Sequence, residues 1–130
     1  MTWPRVNGMR ALAFGTPGPF RAKLNQLVVS GVKTATTGLL SEYELEDEEL
    51  ERVGEQLAMV DDQDRYIATV EITAVDVCRF DEVGLAHAVA EGEGWETIED
   101  WRDDHREYWK RQGVDVDDAT QVVALAFRLV

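Results

Sequence analysis

Apolar positions along the chain change period from helix to strand and back. Phe20, Leu24, Leu27 and Val28 fall at i, i+4, i+7 and i+8, one face of a helix. Gly31 is placed to end that helix with a left-handed cap. Residues 32–40 are rich in Val and Thr and predict a strand or a strand-like loop. Residues 42–51 are mostly acidic and predict a solvated connection or short helix, with Gly54 beyond. EQLAMVDD at 55–62 then reads as a strand, DDQD at 61–64 as a turn, and RYIATVEITAVDV at 65–77 as a longer strand.

DEVGLAHAVAEG, residues 81–92, predicts a short helix with Asp81 as its N-cap. EGEG at 91–94 breaks it, because glycine is costly in a helix interior. Thr97 predicts the cap of a second helix, with Trp101, His105, Tyr108 and Trp109 on one face and Gly113 as its stop. TQVVALAFRLV, residues 120–130, closes the chain as a buried strand. Residues 1–19 hold three prolines and three glycines and predict an ordered N-terminal arm. The expectation is one α+β domain over 1–130, with a mixed sheet that closes into a small barrel flanked by helices.

Charge narrows the partners. Thirteen basic against 26 acidic residues leave a net charge of −13, a mean field that repels long polyanions and anionic membranes. A nucleic-acid ligand would have to be small or single-stranded; long duplex DNA is disfavoured. Cys78 is the only cysteine, which excludes an internal disulfide and suits a reducing compartment. MTWPRVNGMR lacks the apolar run of a secretory signal, and no stretch reaches the ~20 apolar residues of a membrane span. A soluble cytoplasmic protein is expected.

Candidate chemistry begins at SGVKTATTGLL, residues 30–40, where one lysine stands among small and β-branched residues. Lys33 and Thr36 are at i and i+3, bracketed by Gly31 and Gly38, so they share a site only if the chain bends there. A desolvated lysine can act as base or nucleophile, and a charged one can hold a phosphate or an oxyanion. The same position also fits a lysine that snorkels from a helix end. In EGEG, Glu91 and Glu93 flank Gly92 and offer two carboxylates, as general bases or as acceptors for a nucleobase edge. A solvated acidic turn is the plainer reading.

Arg102, Arg106 and Lys110 form a basic stripe beside aromatic residues, as on a nucleic-acid surface. Glu99, Asp103 and Glu107 precede them by three, so intrahelical ion pairs explain the stripe equally well. His87, Glu91 and His105 with a single cysteine make a poor zinc set, and no phosphate-binding or dinucleotide glycine motif is present.

GVKTATT, VEITAVDVCRFDEV, AVAEGEG and WRDDHREYW, in that order, resemble the ASCH domain family, in its longer bacterial branch. The resemblance spans roughly residues 20–130 and implies a PUA-like fold with a cleft for RNA, nucleosides or nucleotides. Some members resembling this pattern remove the acyl group from N4-acylated cytidine and others are described as ribonucleases; the alternative expectation for this chain is a non-catalytic RNA-binding regulator, with Lys33 and the 102/106/110 stripe gripping phosphates. The amidohydrolase pattern K-x-x-T plus a following glutamate lands on Lys33, Thr36 and Glu91. It implies Thr36 as nucleophile, Lys33 as its activator and Glu91 as proton carrier or base reader. Thr34, Glu93, Trp95, Arg102 and His105 would contact the ligand, and neither metal nor organic cofactor is implied. Those amidohydrolases carry arginine two residues after the threonine, where Gly38 stands here.

Overall fold

The computed structural model describes residues 2–130. Six strands make one mixed sheet: β1 Arg5–Val6, β2 Met9–Leu12, β3 Ala35–Leu39, β4 Gln56–Val60, β5 Tyr66–Arg79 and β6 Gln121–Leu129, in the order β1-β2-β4-β5-β6-β3. Four helices accompany them: α1 Pro19–Val29, α2 Leu40–Leu45, α3 Leu85–Ala90 and α4 Ile98–Arg111. Only the β2–β4 pair is parallel. β1 and β3 remain the two edges, so among the described residues the sheet does not close and "barrel" describes only its curvature.

β5 is the spine. Its 14 residues pair with β4 at one end and with β6 along most of their length. The register shifts between Ile72 and Ala74, leaving Thr73 as the extra residue of a bulge, which bends and twists the strand. Alternation along β6 then feeds two cores. Val123, Leu125 and Phe127 join Phe14, Leu24, Val28 and Ile72 on one side, while Val122 joins Leu39, Phe80, Trp101 and Trp109 on the other.

The arm is part of the sheet. Asn7 and Gly8, both at positive φ, turn a short hairpin, and β2 then runs parallel to β4. Arg10 is carried inside, with its guanidinium on Glu55 at 2.8 Å. The acidic stretch is a short helix as one reading allowed, but it is not simply solvated: Tyr43 is buried and donates to buried Glu51 at 2.7 Å. Asp81 does not cap α3. It lies in a 3-10 turn, Phe80–Glu82, and the helix starts after Gly84, whose backbone stays extended. Gly31 (φ 81°) ends α1, and Thr97 caps α4 by accepting from the Asp100 amide at 3.1 Å, both as expected.

Phe80 pins the second core. Fully buried, it stacks on Trp101 (centroids 5.4 Å apart) and meets Trp109 edge-on at 6.0 Å. Phe80→Ala should cost about 3–5 kcal/mol, the range for an emptied aromatic site. Urea unfolding followed by tryptophan fluorescence checks it, the slope staying constant while the midpoint falls.

Candidate functional site

α1 and its glycine cap deliver Lys33 to the start of β3; α3 ends at Glu91; α4 brings Trp101 and His105 alongside. These segments meet at a buried carboxylate. Glu91 Oε2 accepts from the Thr37 hydroxyl and the Trp101 indole, each at 2.8 Å, with His87 Nε2 at 3.3 Å. Glu91 Oε1 faces His105 Nε2 at 3.5 Å and Lys33 Nζ at 3.8 Å. Thr37 spends its only hydrogen on Glu91, so its oxygen accepts from His87 Nε2 at 2.8 Å and that nitrogen carries a hydrogen. His105 donates from Nδ1 to the Trp101 carbonyl at 2.9 Å, which fixes the ring.

Lys33 does not snorkel. Its side chain is 1% exposed, and Nζ donates to the Glu91 carbonyl at 3.2 Å and to Glu93 Oε2 at 3.3 Å. Burying an ion costs several kcal/mol unless partners compensate, and here two carboxylates and a carbonyl do so. The arrangement is an ion-paired clamp rather than a free amine.

The two carboxylates live differently. Burial pushes the Glu91 carboxyl up, but hydrogen bonds from His105 and His87, with the facing His105 and Lys33, outweigh it and leave the pKa well below the ordinary range. For Glu93 burial dominates; Lys33 pulls down, Glu91 pushes up, and the net shift is upward.

The site opens into a cleft of about 940 Å³. That is within the size range of small-molecule sites. Lys33, Thr36, Thr37, Glu93 and His105 line it together with the rings of Phe14, Phe20, Trp95 and Tyr108. Phe20 at the start of α1 and Tyr108 on α4 are 6.2 Å apart between centroids.

The structure thus brings Lys33, Glu91, Glu93 and His105 together. Thr36 lines the cleft but makes no side-chain hydrogen bond among the described residues. Trp95 lines it too, its indole on Asp104 at 2.6 Å. Thr34 is exposed and ties β3 to α3 by donating its amide to the Ala90 carbonyl at 2.8 Å. Arg102 is not among the lining residues and donates to the Asp81 carbonyl at 3.0 Å. Of the expected ion pairs along α4, Asp103–Arg106 forms, at 3.4 Å. Thr37 and His87 were not singled out in the sequence for this cluster. Among the described residues, no set of His, Cys, Asp and Glu is arranged to hold a metal ion, and no helix is long and apolar enough to cross a membrane.

Residues 10–130 match the ASCH domain family model. The chain belongs to the ASCH domain family. Among solved structures, a protein of Enterococcus faecalis V583 superposes with a TM-score of 0.81 at 29% identity, covering 92% of this chain and 75% of that one. An ASCH domain from Lactobacillus crispatus JV V101 gives 0.79 at 24% identity, covering 92% and 77%. An ASCH mutant protein from Zymomonas mobilis gives 0.56 at 12%, covering 91% and 67%. No curated protein matches the sequence.

Two predictions concern how this ASCH domain is held. The depressed Glu91 contributes stability that is complete above its ordinary pKa of 4.5 and lost as pH falls below it. Glu91→Gln should therefore cost about 3–5 kcal/mol at neutral pH, leaving Lys33 with one carboxylate instead of two, and progressively less as pH falls from 4.5 through the depressed folded-state value. Denaturant midpoints of both proteins across that range measure it. The second concerns Gly92, at φ 77°, where an added Cβ would meet the Val32 carbonyl at 2.7 Å and the Lys33 amide at 2.9 Å. Gly92→Ala should displace Lys33 and lower the melting temperature more than Gly94→Ala. Gly94 is also at positive φ (98°) but has open space, so the change there costs only the ~1–2 kcal/mol of backbone strain.

Proposed function

We propose that the cleft binds a nucleoside, nucleotide or single-stranded RNA end through its base, and that the site hydrolyses an acylated exocyclic amine such as that of N4-acylcytidine. The observation that carries this reading is convergence: a buried lysine, two carboxylates and two threonine hydroxyls on one aromatic-lined cleft. ASCH domains are generally held to bind RNA, which agrees with a base-sized cleft. Aromatic rings offer sequence-tolerant stacking of about 1–3 kcal/mol per base. A net charge of −13 leaves little room for a counterion-driven grip on a long duplex, so recognition rests on the base.

In the proposed reaction Thr36 Oγ attacks the acyl carbon as its proton passes to a carboxylate of the EGEG turn, Lys33 stabilises the charge that develops on the acyl oxygen, and the C–N bond breaks as that proton goes to the amine nitrogen. Water then splits the Thr36 ester, releasing the carboxylic acid and restoring the hydroxyl. Glu91 anchors Lys33. The site works by protein groups alone.

A second reading, an RNA-binding regulator without turnover, is favoured by one observation: Lys33 and Glu91 are fully engaged with their neighbours. One assay separates them. Purified protein is incubated with N4-acetylcytidine and, separately, with end-labelled single-stranded RNA. Cytidine and acetate are expected, with kcat/KM reduced at least ~100-fold in Lys33→Met and turnover lost in Thr36→Val while cytidine still binds. RNA shortening would identify a ribonuclease, RNA binding without product the regulator. Absence of both binding and product would overturn the cleft assignment.

A further inference from the structure

We propose that His105 is a positively charged positioning residue at neutral pH, and that by holding Glu91 Oε1 it leaves one hydrogen of the Lys33 ammonium available to an oxygen of the ligand. The charge stands on geometry within the cluster. What the available hydrogen does in turnover rests on the hydrolase reading above.

Both ring nitrogens of His105 face atoms that have no hydrogen to give. Nδ1 is 2.9 Å from the Trp101 carbonyl, and Nε2 is 3.5 Å from Oε1 of Glu91, whose carboxyl is ionised. A neutral imidazole has one donor nitrogen and one lone pair, so either neutral tautomer would aim a lone pair at one of these oxygens. Only the imidazolium donates at both ends. Water offers little relief, since the side chain is 12% exposed.

The rings around His105 suit a cation. Trp101 stacks on it with centroids 4.1 Å apart, and Trp95 and Trp109 lie at 5.1 and 5.3 Å. All three are within the ~6 Å reach of a cation–π contact, which is strongest where water is excluded. The other charged groups here are Lys33 from the segment before β3, Glu91 from the end of α3 and Glu93 from the turn beyond it. Lys33 alone would face two carboxylates; a charged His105 evens the count.

The consequence falls on Lys33. An ammonium has three hydrogens. Lys33 spends two, on the Glu91 carbonyl at 3.2 Å and on Glu93 Oε2 at 3.3 Å. The third has Glu91 Oε1 before it at 3.8 Å, within ion-pair range but beyond a hydrogen bond. Glu91 Oε2 is already occupied by Thr37 and Trp101. His105 is the closer cation on Oε1, so Lys33 can turn its third hydrogen to a ligand oxygen while Glu91 keeps a positive partner. Without that partner the carboxylate would draw the ammonium back from the cleft. His105 has no hydrogen left for the ligand and acts through Lys33.

The test has two arms. In the first, nitrogen NMR of the imidazole rings in the intact protein at neutral pH reads the charge. His105 should show both nitrogens protonated in the wild type and one bare nitrogen in Glu91→Gln. A wild-type His105 with one bare nitrogen overturns the proposal. The second arm compares His105→Phe, which keeps a flat ring among the indoles, with His105→Lys, which keeps the charge. His105→Phe should lower kcat for N4-acetylcytidine about 10²-fold, the loss expected when a catalytic group is displaced, with a smaller change in KM. His105→Lys should recover much of that loss. The reverse ranking, with His105→Phe active and His105→Lys impaired, would mean that the ring only packs, and it overturns the proposal. If the wild type does not turn over N4-acetylcytidine, the hydrolase reading fails alone. The same ranking is then read from cytidine affinity, His105→Lys binding tighter than His105→Phe, and the opposite order sinks the assignment. Should both variants fail to fold, the wild-type nitrogen spectrum decides by itself.

Discussion

A carboxylate cannot remain charged in a protein interior without partners, and Glu91 is charged and 2% exposed. Its requirement for donors organises the surrounding chain. Thr37 comes from the edge strand β3, His87 from α3, Trp101 and His105 from α4, and Lys33 from the cap of α1. Helix α3 meets β3 and α4, and the turn that ends it presses on the Lys33 backbone. Their common tie is one side chain whose desolvation is offset only when every donor is in place. Geometry near the cleft is thereby over-determined, which a binding site needs and a loosely packed edge strand would not provide.

The same economy governs the glycines of EGEG. Gly92 lets the turn press against the Lys33 backbone at a distance no side chain tolerates. The Glu91 carbonyl can then receive the lysine that its own carboxylate attracts. One acid is sealed inside by this contact while the next stays at the cleft wall. Two chemically identical residues, two positions apart, thus acquire opposite pKa shifts from their surroundings alone.

Much of the fold was legible because its signals are local. The period of Phe20, Leu24, Leu27 and Val28 and the glycine after them define α1, and Thr97 marks the start of α4. β-branched density marks β5, and apolar runs mark β4 and β6. What escaped depends on tertiary partners. Arg10 reads as a surface residue until Glu55 is beside it, which hides β2 within an arm although Asn7-Gly8 carries a hairpin signal. Glu51 reads as solvated until the Tyr43 hydroxyl reaches it. At the site, Lys33 and the EGEG carboxylates were visible as oddities of composition, and strand parity was the unused clue to Thr37. Residues 33, 35 and 37 share one parity along an extended chain, whereas Thr36 has the other. His87 stands one helical turn before Glu91, a spacing visible in the sequence that reads there only as part of a poor metal set.

The central claim is that Lys33 and Glu91 stabilise each other, each losing part of its compensation when the other is removed. A double-mutant cycle with Lys33→Met and Glu91→Gln, read as unfolding free energies at neutral pH, tests it most directly. The account predicts a coupling energy of roughly 1–3 kcal/mol, the double mutant being far less damaged than the sum of the singles. Strictly additive losses would contradict it, because the two groups would then be independent passengers in the fold.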